Sequence, residues 1–343
     1  MTSWTKRTNG PKHAAIVGLG WWGQHILRQT TGSEIVRVVR AVGSRDEHRA
    51  RAEKYGVTFT TDFAGVLADR SIDLVILATP HAEHARQIEM AARAGKHVFC
   101  EKPVGLSVEE VRRSMNACRA AGIRLGVGHE RRFEPAMEEL RKLVVDGSFG
   151  TIMHVEAEFH HDKLRGIAGN NWRVSEQGGV PLAMTATGIH LTDLFIDLIG
   201  PIETVTAFPA TRMASTGYDD TLSVHVGFAS KATGYFSTVL ATPFYSRLTI
   251  FGSEAWAEVR DGSHPDEARP STLAVHHRDS APIVTTLPGR DAVRANLEQF
   301  ALSIDGEAPY PFTEEQIAGN IAVMAAVSRS METARTVSLS EML

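Results

Sequence analysis

Apolar and polar positions follow two different rhythms along this chain. From His13 onward, the short apolar runs Ala14–Val17, Ile35–Val42, Leu74–Ala78, His97–Cys100 and Ile123–Val127 are separated by stretches whose apolar positions recur every three or four residues. Continuous apolar runs are the mark of strands covered on both faces, and strands alternating with helices build right-handed βαβ units and a parallel sheet. Ser107 with Glu110 reads as a capping box ahead of a helix carrying Val111, Met115 and Cys118, and Gly95 and Gly122 stand where helices should stop. After Glu134-Pro135 a helix with proline in its first turn runs to Asp146 and ends at Gly147. Strands then follow one another without helices between them: Ile152–Phe159, Glu203–Phe208, Thr221–Phe228, Ala232–Leu240, Leu248–Phe251 and Ala255–Val259. They predict a large, mostly antiparallel open sheet, with a polar loop over Ser263–Ser271 and helices around Met184–Ile199 and Glu314–Ala334, the second capped by Thr313 and Gln316.

At 343 residues the chain is too long for one core to keep growing, so the change of rhythm reads as a domain boundary. We expect a polar tail over 1–12, an α/β domain over 13–130 and an α+β domain over 131–343 that binds substrate and holds the oligomer together. Thirty-six basic against 40 acidic side chains give a net charge of −4, which argues against nucleic acid or a membrane surface as a partner. The charge is unevenly placed: residues 1–150 carry 23 basic and 17 acidic side chains, leaving 13 and 23 for 151–343. A basic first half suits a phosphate-bearing ligand, although solvated helix faces produce the same bias. Two cysteines, Cys100 and Cys118, make no disulfide framework, and neither a leader-type apolar segment nor a membrane-length apolar run is present, so a cytoplasmic protein is expected.

The chemistry begins at the first strand, which runs straight into Gly18-Leu19-Gly20-Trp21-Trp22-Gly23 and then a helix. In that context Gly18 allows a tight turn, Gly20 a close approach of backbone to pyrophosphate, and Gly23 close packing of helix on strand, while the helix N-terminus offers N–H donors. The loop therefore predicts a Rossmann dinucleotide-binding domain. Where an NAD-specific acid would end the second strand, the chain reads Ser44-Arg45. A serine tolerates a 2′-phosphate and an arginine can grip it, so NADP is preferred; Asp46 keeps NAD open. Thr79, Pro80, His81 and His84 follow the third strand and Glu101-Lys102-Pro103 the fourth, at the strand ends where open α/β sheets place ligands. His190 opens an apolar helical stretch in the second half, and His160-His161-Asp162-Lys163-Leu164-Arg165 with Trp172-Arg173, and Arg131, supply cations and an aromatic for a substrate wall that suits a carboxylate or phosphate, although solvated loop charges give the same pattern. A zinc reading of His129, His160, His161 and His190 lacks cysteines and H-x-x-x-H spacing, so no metal is expected.

Taken in order, the Gly18 loop, Ala78–His84, Glu101-Lys102-Pro103, Arg132-Phe133-x-Pro135, Gly147–Gly150, Trp172-Arg173, Gly178-Gly179 and Gly188-x-His190-x-x-Asp193 resemble the glucose-fructose oxidoreductase / inositol dehydrogenase / rhizopine-catabolism (Gfo/Idh/MocA) family of NAD(P)-dependent oxidoreductases, over nearly the whole chain. The resemblance implies that Lys102 and His190 face the nicotinamide and the substrate carbinol, that the substrate is a sugar, polyol or cyclitol, with a carboxylated relative suggested by the cationic wall, and that the outer face of the second sheet joins a homodimer or homotetramer. One departure stands out: relatives commonly carry an aspartate one helical turn before that histidine, where this chain has Ala186. Thr185, Thr187 and Asp193 are near but cannot be assumed to replace it. The expected reaction is reversible hydride transfer with His190 as general base and Lys102 stabilising the alkoxide; Thr187 is placed to bond substrate or imidazole. The alternatives are a relative that retains NAD and eliminates or hydrolyses a glycoside by transient oxidation, and a catalytically silent cofactor-binding sensor.

Overall fold

A computed structural model describes residues 10–167, 169–175, 178–179, 181–213 and 217–342. Most of the expected tail, residues 1–9, lies outside the described residues. The first strand already begins inside that tail, at Lys12, because Lys12 N bonds Ile35 O at 2.8 Å.

The first half alternates as the apolar runs predict: β1 (Lys12–Val17), α1 (Trp21–Thr30), β2 (Val36–Val42), α2 (Arg49–Glu53), β3 (Thr58–Thr60), α3 (Phe63–Ala68), β4 (Leu74–Leu77), α4 (His84–Arg93), β5 (His97–Cys100), α5 (Val108–Ala120) and β6 (Leu125–Val127). The strands form a six-stranded parallel sheet in the order β3-β2-β1-β4-β5-β6. Strand order reverses between β1 and β4, and a crevice opens there at the carboxyl ends of the strands. Strand β3 escapes the sequence pattern because its three residues contribute one buried side chain, Phe59. Ser107 caps α5 by accepting from Glu110 N, but the Glu110 carboxylate bonds Leu106 N at 2.8 Å, so the predicted box is shifted by one residue.

Helix α6 (Pro135–Val145) leads into the second half: β7 (Ile152–His160), α7 (Ile189–Leu198), β8 (Ile202–Ala210), β9 (Thr221–Phe228), β10 (Thr233–Val239), β11 (Tyr245–Gly252), β12 (Ala255–Arg260), β13 (Ser271–His277), β14 (Ile283–Leu287), α8 (Ala292–Ile304), α9 (Glu314–Thr333) and β15 (Val337–Ser338). The strands make one nine-stranded sheet in the order β14-β13-β12-β11-β7-β10-β9-β8-β15, antiparallel except where β10 runs parallel to β7. Its inner face packs on α7 and α9 through Phe195, Phe228, Phe236 and Val323. Strands β13 and β14 carry mostly exposed or half-buried side chains, so no apolar run announces them.

Helix α8 returns to the first sheet: Val293, Leu297, Phe300 and Ala301 share a core with Ile16, Leu74, Ile76 and Phe99. Asn296 Nδ2 donates to Val127 O at 2.9 Å, and the Tyr310 hydroxyl reaches the same carbonyl at 3.1 Å. The end of the chain thus holds β6, and the two sheets meet over the strand ends that carry the candidate residues.

Candidate active site

The Gly18 loop separates glycines needed by the protein from one that is not. Gly18 has φ +96°, and a Cβ there would lie 2.4 Å from Ala78 O; a Cβ on Gly23 would lie 2.0 Å from Gly18 O. Gly20, at the cap of α1, has normal backbone angles and faces nothing within 4 Å. Packing thus explains two of the glycines, while the third clears a space in front of the N-terminus of α1, where backbone N–H groups and the helix dipole attract phosphate. Leu19 is buried, and its carbonyl accepts from Arg51 at 2.8 Å. The loop fits a dinucleotide. Ser44 and Arg45 follow β2, the strand paired with β1, and the Arg45 side chain is 72% exposed, with exposed Glu47 at 3.2 Å its only ion-pair partner among the described residues.

Next to the loop is a cavity of about 540 Å³ lined by Trp21, Trp22, Thr79, His81, His84, Glu101, Lys102, Trp172, Arg173 and His190, all predicted, by His161 and Lys163 of the expected cationic segment and by Thr185, together with unpredicted Glu130, Phe159, His264 and Asp266. Pro80 sits in the same turn as Thr79. His84 lies under the floor with its ring nitrogens 2.7 Å from Pro103 O and 3.0 Å from Thr79 O, tying the exits of β4 and β5 together. His81 donates to Gly178 O and meets the Trp172 ring edge-on at 4.8 Å, which joins the floor to the opposite wall. The Arg173 guanidinium stacks 4.3 Å from the Trp172 ring centroid.

Lys102 leaves the end of β5 and crosses the cavity, its Nζ donating to Thr185 O at 2.9 Å and Ala186 O at 3.1 Å. Those carbonyls belong to a π-helical turn, Met184–Gly188, ahead of α7. Such a turn inserts a residue into the helix, commonly at a functional site. The wider turn also corrects the expectation for Thr187: the residue is fully buried and its hydroxyl bonds Ala183 O at 2.9 Å, so Thr185 and Ala186 face the cavity instead. Arg131 does not reach the cavity either. It is held by Glu134, Ser246 and Asp261 behind Phe159, over whose ring it stacks at 4.9 Å. Nor is Asp193 free, because Arg132 grips it at 2.7 and 2.8 Å and thereby fixes α7, which presents His190.

Burial dominates the electrostatics. It pushes the Glu101 carboxyl up to about 8, with nearby Glu130 adding to the effect. It pulls Lys102 below the usual ammonium range against the opposing attraction of Glu130 and Glu101, and drives His190 well below an ordinary imidazole, helped by the Lys102 charge. At the far rim, Asp266 bonds Lys163 at 2.7 Å and His264 at 2.8 Å, and Lys163 lies 5.5 Å from the Trp21 ring centroid, closing the second half onto the glycine loop. Among the described residues, no group of three or more His, Cys, Asp and Glu side chains is arranged to hold a metal ion. Nor is any described helix long and apolar enough to cross a membrane.

Residues 12–129 match the model of an oxidoreductase family with an NAD-binding Rossmann fold, and residues 137–258 match the GFO/IDH/MocA C-terminal domain. The chain belongs to the GFO/IDH/MocA oxidoreductase family. Its GFO/IDH/MocA relatives include the trans-1,2-dihydrobenzene-1,2-diol dehydrogenase of Mus musculus, 29% identical over 232 residues that span 67% of this chain and 68% of that one. The D-xylose 1-dehydrogenase (NADP(+)) 2 of Haloferax volcanii is 26% identical over 300 residues, 86% of this chain and 89% of its own. The aldose-aldose oxidoreductase of Caulobacter crescentus, solved with glycerol, shares the fold with a TM-score of 0.85 at 23% identity, over 96% of this chain and 99% of that one. Within the family architecture, the first sheet is the NAD(P)-binding half.

Proposed function

We propose that this chain is an NAD(P)-dependent dehydrogenase that interconverts a secondary alcohol and its ketone on a sugar, polyol, cyclitol or carboxylated relative, with NADP preferred. The observation that carries the reading is the meeting of Lys102 and His190, delivered by different halves of the chain, in one cavity beside the open space at Gly20. The Gly18–Gly23 loop and the N-terminus of α1 would hold the pyrophosphate, and Ser44 and Arg45 the 2′-phosphate. The bound nicotinamide supplies the two-electron acceptor for hydride from the carbinol carbon.

The rest is the work of this chain's own side chains. Lys102 is held on the Thr185 and Ala186 carbonyls and directs its charge at the substrate oxygen as that oxygen becomes negative. His190, uncharged at neutral pH, has the lone pair needed to take the hydroxyl proton. Phe159, Leu164, Leu182 and Trp172 exclude water, and the Arg173 cation would favour a substrate bearing a carboxylate. Support for NADP comes from exposed Arg45 and from the name of the Haloferax relative, and support for a sugar-type substrate from the names of that relative and the Caulobacter neighbour. Assembly through the outer face of the second sheet belongs to the same proposal: Phe208 is exposed there, and the His225 and Tyr235 rings meet edge-on 5.3 Å apart. Sedimentation is then expected to give a dimer or tetramer.

Titrating the protein with NADPH and NADH, and then screening sugars, sugar acids and inositols for a change at the nicotinamide absorbance band, tests the reading. It predicts tighter NADPH binding and turnover of at least one polyol. Binding without turnover across the panel would point to a sensor. Cofactor that survives purification, with glycoside cleavage and no net redox change, would point to an eliminating or hydrolysing enzyme.

A further inference from the structure

Ala186 leaves the site without a carboxylate on α7, yet the cavity contains one that arrives from another element. Glu130 follows β6, whose end lies beside the exit of β5, and it is 4% exposed. One of its oxygens, Oε2, is buried with no hydrogen-bond partner among the described residues and lies 3.7 Å from His190 Nδ1, which is itself buried and without a partner among them. Two complementary polar atoms left unbonded this close together call for an explanation. Elsewhere in this stretch the charges are spent: Arg131 on Glu134 and Asp261, and Arg132 on Asp193 and Asp197. Glu130 is the member turned into the cavity.

We propose that Glu130 supplies the carboxylate missing at Ala186 and receives, through the His190 imidazole, the proton that the substrate hydroxyl loses on oxidation. The inference rests on the dehydrogenase reading above. In the oxidation direction the substrate O–H bond breaks and its proton passes to the His190 nitrogen facing the cavity. The proton on Nδ1 moves to Glu130 Oε2, and the carbinol hydride leaves to the oxidised nicotinamide dinucleotide. Reduction runs the same transfers backwards. Approach from 3.7 Å to bonding distance is a small side-chain adjustment of the kind that accompanies substrate binding.

The surrounding charges suit this role. Lys102 and Glu101 face Glu130 from the end of β5, His190 and Asp193 from α7, and His129, Arg131 and Glu134 from its own turn. Burial pushes the Glu130 carboxyl up to about 7 even though Lys102 and Arg131 pull it down, while His190 is driven well below the ordinary imidazole value. A proton shared by the two settles on the carboxylate, leaving the imidazole free to accept the next one. Alcohol oxidation should accordingly rise with pH through about 7 as Glu130 ionises.

Glu130→Gln keeps the shape and removes the proton site. Relative to wild type, kcat for alcohol oxidation is expected to fall about a hundredfold or more, KM and NADPH affinity to stay within about threefold, and the inflection near neutral pH to vanish. Glu130→Asp should keep the inflection at a reduced rate, and Ala186→Asp added to Glu130→Gln should recover at least about tenfold of the loss by returning a carboxylate beside Lys102. Unchanged rate and inflection in Glu130→Gln would overturn the inference while leaving the dehydrogenase reading intact. If wild type turns over nothing on the panel, that reading fails instead. The inference still has its own readout then, an infrared titration of protonated carboxyl groups: a band titrating near neutrality that Glu130→Gln removes supports it, and the absence of any difference overturns it.

Discussion

At the scale of single residues, the site is assembled from side chains whose neighbours leave them one task each. Lys102 is oriented by two backbone carbonyls, so its charge is directed without being neutralised by a bonded carboxylate. Arg45 is the opposite case, an exposed cation whose only ion-pair partner among the described residues is a solvated glutamate, a pairing worth little. Arg45→Ala should therefore weaken NADPH by about tenfold or more and leave NADH and thermal stability nearly unchanged, which fluorescence titration and a melting curve would check. Lys102 was legible from Glu101-Lys102-Pro103 at a strand exit, whereas His190 on an apolar helix reads by itself as a core histidine and was legible only through the family resemblance. Glu130 was not legible. It stands in Glu130-Arg131-Arg132-Phe133-Glu134, where each charge reads equally well as solvated, and only the fold reveals that Glu130, Arg131, Arg132 and Phe133 are buried and Glu134 half-buried. Its position directly after β6, on the same edge as Lys102, was the available signal.

At the scale of elements, the parallel strands were legible because burial on both faces leaves continuous apolar runs. Strands β13 and β14 and helix α8 were not, since β13 is mostly half-buried and β14 mostly exposed, and the helix packs its apolar face on distant β5 and β1. The π turn at Met184–Gly188 has no sequence signature either; ordinary helical spacing put Thr187 in the site, and the extra residue per turn replaced it with Thr185 and Ala186. The glycine loop offers a test that separates folding from binding. Gly20→Ala meets no protein atom and costs only about 1 kcal/mol of cap preference, whereas it obstructs the phosphate approach, so the protein should fold normally and lose at least about tenfold in NADPH affinity. Gly23→Ala places a methyl 2.0 Å from Gly18 O and should lower the melting temperature by several degrees.

At the scale of the whole molecule, many titratable groups are buried where the two halves close, and this couples stability to pH. Burial depresses His25 and His129 to about 4, His161 to about 3 and His81 to about 2, so each stabilises the fold fully above its ordinary value near 6.5 and that contribution is lost as pH falls toward the depressed value. Burial raises Glu101 and Glu134 to about 8 and Glu130 to about 7, so their contribution is complete below the ordinary 4.5 and is lost as pH climbs through 7 and 8. The buried imidazoles outnumber these carboxyls, and the melting temperature should peak near pH 6.5 and fall on both sides; a midpoint at pH 5 equal to or above that at 6.5 would contradict this balance.

The same closure makes the cavity a joint product of both halves, and on it rests the claim that Lys102 and His190 perform dehydrogenase chemistry there. The most direct test is a single-turnover comparison of wild type and Lys102→Met, each saturated with NADP and mixed with a substrate found on the polyol panel, following the reduced-nicotinamide absorbance. The account predicts a burst in wild type and, in Lys102→Met, a rate lower by about a hundredfold or more with cofactor affinity within about twofold. A burst of equal rate in both proteins would contradict it.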